Sequence, residues 1–181
     1  MMNFKEAQED MRNVYLSGSS GILVSGIVWL IAGTLSMYAS KQTGFIAFFI
    51  GGMLIHPTSI LIAKLLKRKG KHLKENPLGH LAMESTVILF IGLFVVYSLF
   101  QTHSNWLFPI MLMIIGVRYL IFQSIYGLKI YWVLGLILIG AGCLGVSTNY
   151  TFSTFGIIGG LIEFIFSILI FKKDRAIHQG A

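Results

Sequence analysis

Ile158-Gly-Gly-Leu-Ile-Glu-Phe-Ile-Phe-Ser-Ile-Leu-Ile-Phe-Lys172 decides the fold. It closes an apolar run, near 152–171, that one carboxylate interrupts and a basic residue ends. About 20 apolar residues are what roughly 30 Å of hydrocarbon requires of a helix. The run also carries a pattern: Ile-Gly, seven residues, Ser-Ile, three residues, Lys. The same pattern stands at Ile50-Gly51, Ser59-Ile60 and Lys64, and again at Ile115-Gly116, Ser124-Ile125 and Lys129. Its copies are offset by 65 and then 43 residues.

Working outward, six stretches have the length of a span: near 20–39, 44–64, 81–100, 106–126, 130–147 and 152–171. Over all 181 residues, 55% are hydrophobic and only 12% charged, with mean hydropathy +0.78. A soluble domain carries about 25% charged residues. The expectation is therefore all-α: a polytopic integral membrane protein, one membrane domain over 1–181, with no separate soluble domain. A helix satisfies its own backbone groups in lipid, which is why helices are the natural spanning element. The motif falls in the second half of each hairpin, so the six helices are expected as three in-out-in hairpins in parallel repeat.

Charge supplies the orientation. Lys5 and Arg12 precede the first span, and Lys64, Lys67, Arg68, Lys69, Lys71 and Lys74 lie between spans two and three. Lys129 separates spans four and five, and Lys172, Lys173 and Arg175 follow span six. With six spans all of these share one side, and only Lys41 lies on the other. By the positive-inside rule both termini are expected in the cytoplasm, which places the protein in a bacterial cytoplasmic membrane. The net charge of +7 is thus read as a topology signal and not as a nucleic-acid footprint. Its expected partners are the bilayer and the anionic lipid headgroups that would gather near Lys64–Lys74.

The first twenty residues are too polar and acidic for a secretory signal. Residues 4–15 instead form an amphipathic helix, with Phe4, Met11, Val14 and Tyr15 on one side and Lys5, Glu6, Glu9, Asp10 and Arg12 on the other. Two placements fit it: lying in the interface, or packed on the bundle. Gly18-Ser-Ser-Gly21 then offers a helix break. Ser17, Gly21 and Ser25, the glycines of span five (Gly135, Gly140, Gly142, Gly145), and Gly156 with Gly160 are small residues at helix-packing spacing. They imply close helix contacts and leave room for a homodimer face. Cys143 is expected as a small packing residue.

Ionisable groups inside a span cost roughly 2.5–3.5 kcal/mol even on insertion scales, so each needs a partner, a cavity or a purpose. His56, Glu84, Arg118 and Glu163 are such groups, and Gln123 is the strongest neutral addition. Glu163 shares a small polar face with Gly159 and Ser167, about 13 Å above the Lys172 end of its helix. His56 shares one with Gly52, Ser59 and Ala63, beside the helix-disturbing Pro57. Arg118, about 16 Å above Lys129, needs an anion; Glu163 is the favoured partner and Glu84 the other. Together these five residues define a hypothetical polar pocket for a small solute, ion or proton. No catalytic motif, metal-ligand spacing or cofactor signature accompanies them, so enzyme chemistry is not expected.

Gly-Gly-Met-Leu-Ile-His-Pro (51–57), Asn-Pro-Leu-Gly (76–79), Glu-Ser-Thr (84–86), Trp-Leu-Phe-Pro (106–109) and Gly-Val-Arg-Tyr (116–119) resemble a family of small uncharacterised bacterial membrane proteins. That resemblance implies six helices and brings no activity. More loosely, three successive hairpins resemble the HdeD-like acid-stress membrane proteins, by architecture alone. Two function classes follow: a small transporter or channel-like module using the five-residue pocket, or a stress, lipid-interacting or accessory protein whose buried charges are structural.

Overall fold

The computed structural model describes residues 2–148 and 150–179, and its described residues are helical apart from short connections. The helices are α1 (Phe4–Tyr15), α2 (Ser19–Tyr38), α3 (Lys41–Leu65), α4 (Leu78–Leu99), α5 (Leu107–Tyr126), α6 (Ile130–Ser147) and α7 (Thr154–Gln179). Single 3-10 turns at Leu16–Gly18 and Ser104–Trp106 lead into α2 and α5. Six helices are long and apolar enough to cross a membrane, which fits a membrane protein. Helices α2 to α7 coincide to within a few residues with the six long apolar runs, except that α7 continues to Gln179.

Chain order does not give the packing order. α2 lies between α3 and α7, while α5 lies between α4 and α6. Contact between α6 and α7 is slight by comparison, so the third sequence hairpin is not a closely packed pair. Glycine explains the choice of neighbours. A Cβ on Gly160 of α7 would lie 2.9 Å from the carbonyl oxygen of Gly26 and 2.8 Å from the amide of Leu30, both on α2. A Cβ on Gly116 of α5 would lie 2.7 Å from the carbonyl oxygen of Gly135 on α6. The backbones approach at these points because nothing projects between them. Gly52 and Gly140, by contrast, face open space. The two three-helix groups meet around Trp29, Phe48, Phe108 and Phe152, whose rings stack edge to face (Trp29–Phe48 centroids 4.7 Å, Phe108–Phe152 5.0 Å).

α1 is fixed at both ends by local chemistry. The Asn3 side chain accepts from the Glu6 amide and Glu6 accepts from the Asn3 amide, both at 2.9 Å, closing a capping box. Its far end stops at Leu16, which begins three consecutive left-handed residues: Leu16 (φ 54°), Ser17 (φ 53°) and Gly18 (φ 83°). Of the two placements open to this helix, it adopts the packed one, burying Ala7, Met11 and Val14. Phe4 is exposed, so Ala7 replaces it on the docking face. Gln8 donates to the Ser124 carbonyl (2.8 Å) and Arg12 to that of Tyr126 (2.9 Å). These carbonyls end α5, where no intrahelical donor remains, so α1 caps the bundle with side chains. Cys143 is exposed on α6, with its sulfur 3.7 Å from that of Met113, so it is not the buried packing residue the sequence implied.

Candidate functional site

Glu163 is the most enclosed ionisable side chain in the middle of the bundle, at 1% exposure. The stripe Gly156, Gly159, Glu163, Ser167, Ile170 of α7 is buried as its spacing requires, and it turns the carboxylate toward α2 and α5. The Tyr119 hydroxyl donates to Glu163 Oε1 at 2.7 Å. Oε2 has no hydrogen-bond partner, while Gly26 of α2 leaves space for the Glu163 stem. A buried carboxyl with one orphaned oxygen is costly, and the Tyr119 bond offsets part of that cost. Tyr119→Phe is therefore expected to destabilise the protein by about 1–3 kcal/mol, read as a lower midpoint in denaturant unfolding of the detergent-solubilised protein. An unchanged midpoint would remove Tyr119 as the support of Glu163.

Arg118 does not pair with Glu163, nor with Glu84. Among the described residues the one Arg or Lys within 4.0 Å of a carboxylate is Arg68, on Asp174. Arg118 instead donates to the hydroxyls of Thr86 (3.2 Å) and Ser85 (3.4 Å) on α4, and its guanidinium lies 5.1 Å from the centre of the Phe122 ring. The expected carboxylate is replaced by neutral oxygens and a π face, which hold Arg geometry without cancelling its charge.

The other expected pocket residues diverge. His56 and Glu84 are exposed, on α3 and α4 respectively. His56 lies on the stripe of Phe45, Phe49 and Gly52, so the face it shares with Ser59 and Ala63 does not carry it into the bundle. Gln123 is half-buried on the stripe of Gly116 and Leu120, which meets α6. The five residues thus do not share a cavity. Nor, among the described residues, do three His, Cys, Asp or Glu side chains stand close enough to hold a metal ion.

The most connected polar cluster lies elsewhere, at the end where α1, the α3–α4 connection and the end of α7 converge. Asp174 is fully buried there. Its Oδ1 accepts from Ser17 (2.7 Å) and its Oδ2 from Arg68 (3.1 Å), while His178 Nδ1 lies 3.8 Å from Oδ2. The Tyr131 hydroxyl donates to the Ser17 carbonyl at 2.6 Å, so the hydroxyl and the carbonyl of this left-handed serine are both held. Asn76 completes the end, donating to Asp10 (2.8 Å) and to the Ala7 carbonyl (3.0 Å). Sequence reading did not single out Asp174, which stands beyond the apolar run among Lys172, Lys173 and Arg175. A signal existed: 163, 167, 170 and 174 continue one buried stripe at steps of four, three and four.

A family model described as a family of unknown function (DUF7010) matches residues 4–173. No curated protein and no solved structure matches the chain. None of these comparisons relates it to the HdeD-like proteins.

Proposed function

The chain belongs to the DUF7010 family of unknown function, and from that premise we propose that it is a non-transporting, lipid-interacting or accessory protein of the bacterial cytoplasmic membrane. On this reading it is one membrane domain with three in-out-in hairpins, and its buried charges fix the bundle. One observation carries the reading. The five polar residues that a transport pocket would need point to different places, each half-buried or exposed except Glu163. The basic residues gather at the end capped by α1, and with both termini cytoplasmic that end rests against anionic headgroups around Lys64–Lys74. A homodimer is compatible with the exposed apolar face of α3.

A second reading, proton or ion conduction, draws on the orphaned Oε2 of Glu163. Vesicles reconstituted with wild type or Glu163→Gln distinguish the two under an imposed pH gradient. The expected result is dissipation no faster than in empty vesicles for both proteins. Wild-type flux above that level, lost in Glu163→Gln, would overturn the proposal in favour of conduction.

A further inference from the structure

The end opposite the basic cluster holds a cavity of about 530 Å³, walled by Met37, Phe152, Ile157 and Ile158 and carrying Lys41, Ser153 and Thr154 among its polar groups. That is within the size range of small-molecule sites, which combine apolar walls with a few converging polar groups. Three independent features give those groups a sign.

First, Lys41 is an uncompensated cation. Its Nζ donates to Asn105 (2.9 Å) and Ser104 (3.0 Å) and lies 5.6 Å from the centre of the Phe152 ring. An ammonium has three N–H donors, so one remains. The segments that meet at this end, 36–44, 99–107 and 147–158, contain no Asp or Glu.

Second, Ser153 is 8% exposed and lines the cavity, yet its hydroxyl makes no hydrogen bond to any described residue. Its O–H therefore stands at the cavity as a donor with no acceptor among the described residues.

Third, α7 begins at the cavity wall. The Thr151 and Thr154 hydroxyls bond each other at 2.6 Å instead of the helix amides, and the Phe155 and Gly156 amides have no partner among the described residues. The first turn of this long helix therefore brings the positive end of its dipole to the cavity wall, which favours an anion.

We propose that this cavity binds the anionic head of an amphiphile, a phosphate or carboxylate held by Lys41, Ser153 and the start of α7, with its apolar portion against Met37, Phe152, Ile157 and Ile158. Such a head comes either from a soluble ester or from a bilayer lipid. The site does not depend on whether solute crosses the protein.

Calorimetric titration of hexyl phosphate into the full-length protein in phosphatidylcholine nanodiscs tests it. Saturable binding is expected. Lys41→Gln should weaken it by about tenfold or more, as loss of a charge-assisted hydrogen bond does. Lys41→Arg should retain most of it, and Ser153→Ala should weaken it by a smaller factor. If Lys41→Gln fails to fold, the Ser153→Ala titration decides alone. Competition by inorganic phosphate would mark a soluble ligand, and suppression by phosphatidylglycerol in the disc would mark a lipid; either supports the site. Absence of saturable hexyl phosphate binding, or binding that the folded variants leave unchanged, overturns it.

Discussion

Asp174→Ala is expected to lower the unfolding free energy by about 2–4 kcal/mol, somewhat below the range for fully buried pairs because Arg68 keeps partial access to solvent. The loss has two parts. Arg68 is stranded without its anion, and Ser17 loses the bond that holds its hydroxyl at 2.7 Å. Ser17 stands in the left-handed region, where a non-glycine residue costs roughly 1–2 kcal/mol, so the α1–α2 junction should loosen first. Hydrogen exchange would report this as faster exchange at residues 14–20 and in the α3–α4 connection, with the middle of α5 unchanged. Adding Arg68→Met to Asp174→Leu should recover much of the loss, since a stranded charge costs more than an absent pair. Equal stability of Asp174→Ala and wild type would show that the cluster does not hold this end together.

Gly116→Val should have a still larger effect, because the obstruction is backbone. The added carbons would meet the Gly135 carbonyl oxygen at 2.7 Å and the Ile139 amide at 3.1 Å, and neither can rotate aside. α5 and α6 must separate, which opens a gap along Leu134 and Leu138, both fully buried. Overpacking usually costs about 1–3 kcal/mol, and the upper end or beyond applies where main chain blocks main chain. Gly140→Val, on the partner helix α6 but facing open space, is the matched control and should be near neutral. Thermal unfolding in detergent compares them directly. Similar midpoints for the two would remove close approach as the reason α5 and α6 pair.

This contrast also shows where sequence reading stops. Apolar runs locate the six long helices, because span length is a one-dimensional property. Small-residue spacing marks Gly135, Gly140 and Gly160 alike, yet only Gly135 and Gly160 meet another backbone. Which helix α7 chooses is settled by Gly26 and Gly33 on α2 fitting Gly160 and Gly156, a match between distant segments that no local pattern records. The polar residues behave the same way. Burial cost says that Arg118 and Glu163 need partners, but nothing in one sequence says that a threonine and a tyrosine hydroxyl will serve in place of each other's charge. His56 and Glu84 share the hydropathic context of buried groups and still face outward.

The bonds of the basic end also impose an order on biogenesis. Gln8 waits for Ser124, Arg12 for Tyr126, Arg68 for Asp174, and Ser17 for a carboxylate 157 residues downstream. The bonds from α1 to α5 therefore cannot form until α5 exists, and Ser17 stays unanchored until α7 is made. Nascent chains stalled before α5 should expose α1 to protease, and those stalled between α5 and Asp174 should be cut at the Leu16–Gly18 junction. Closure of the fold at this end waits on the synthesis of α7.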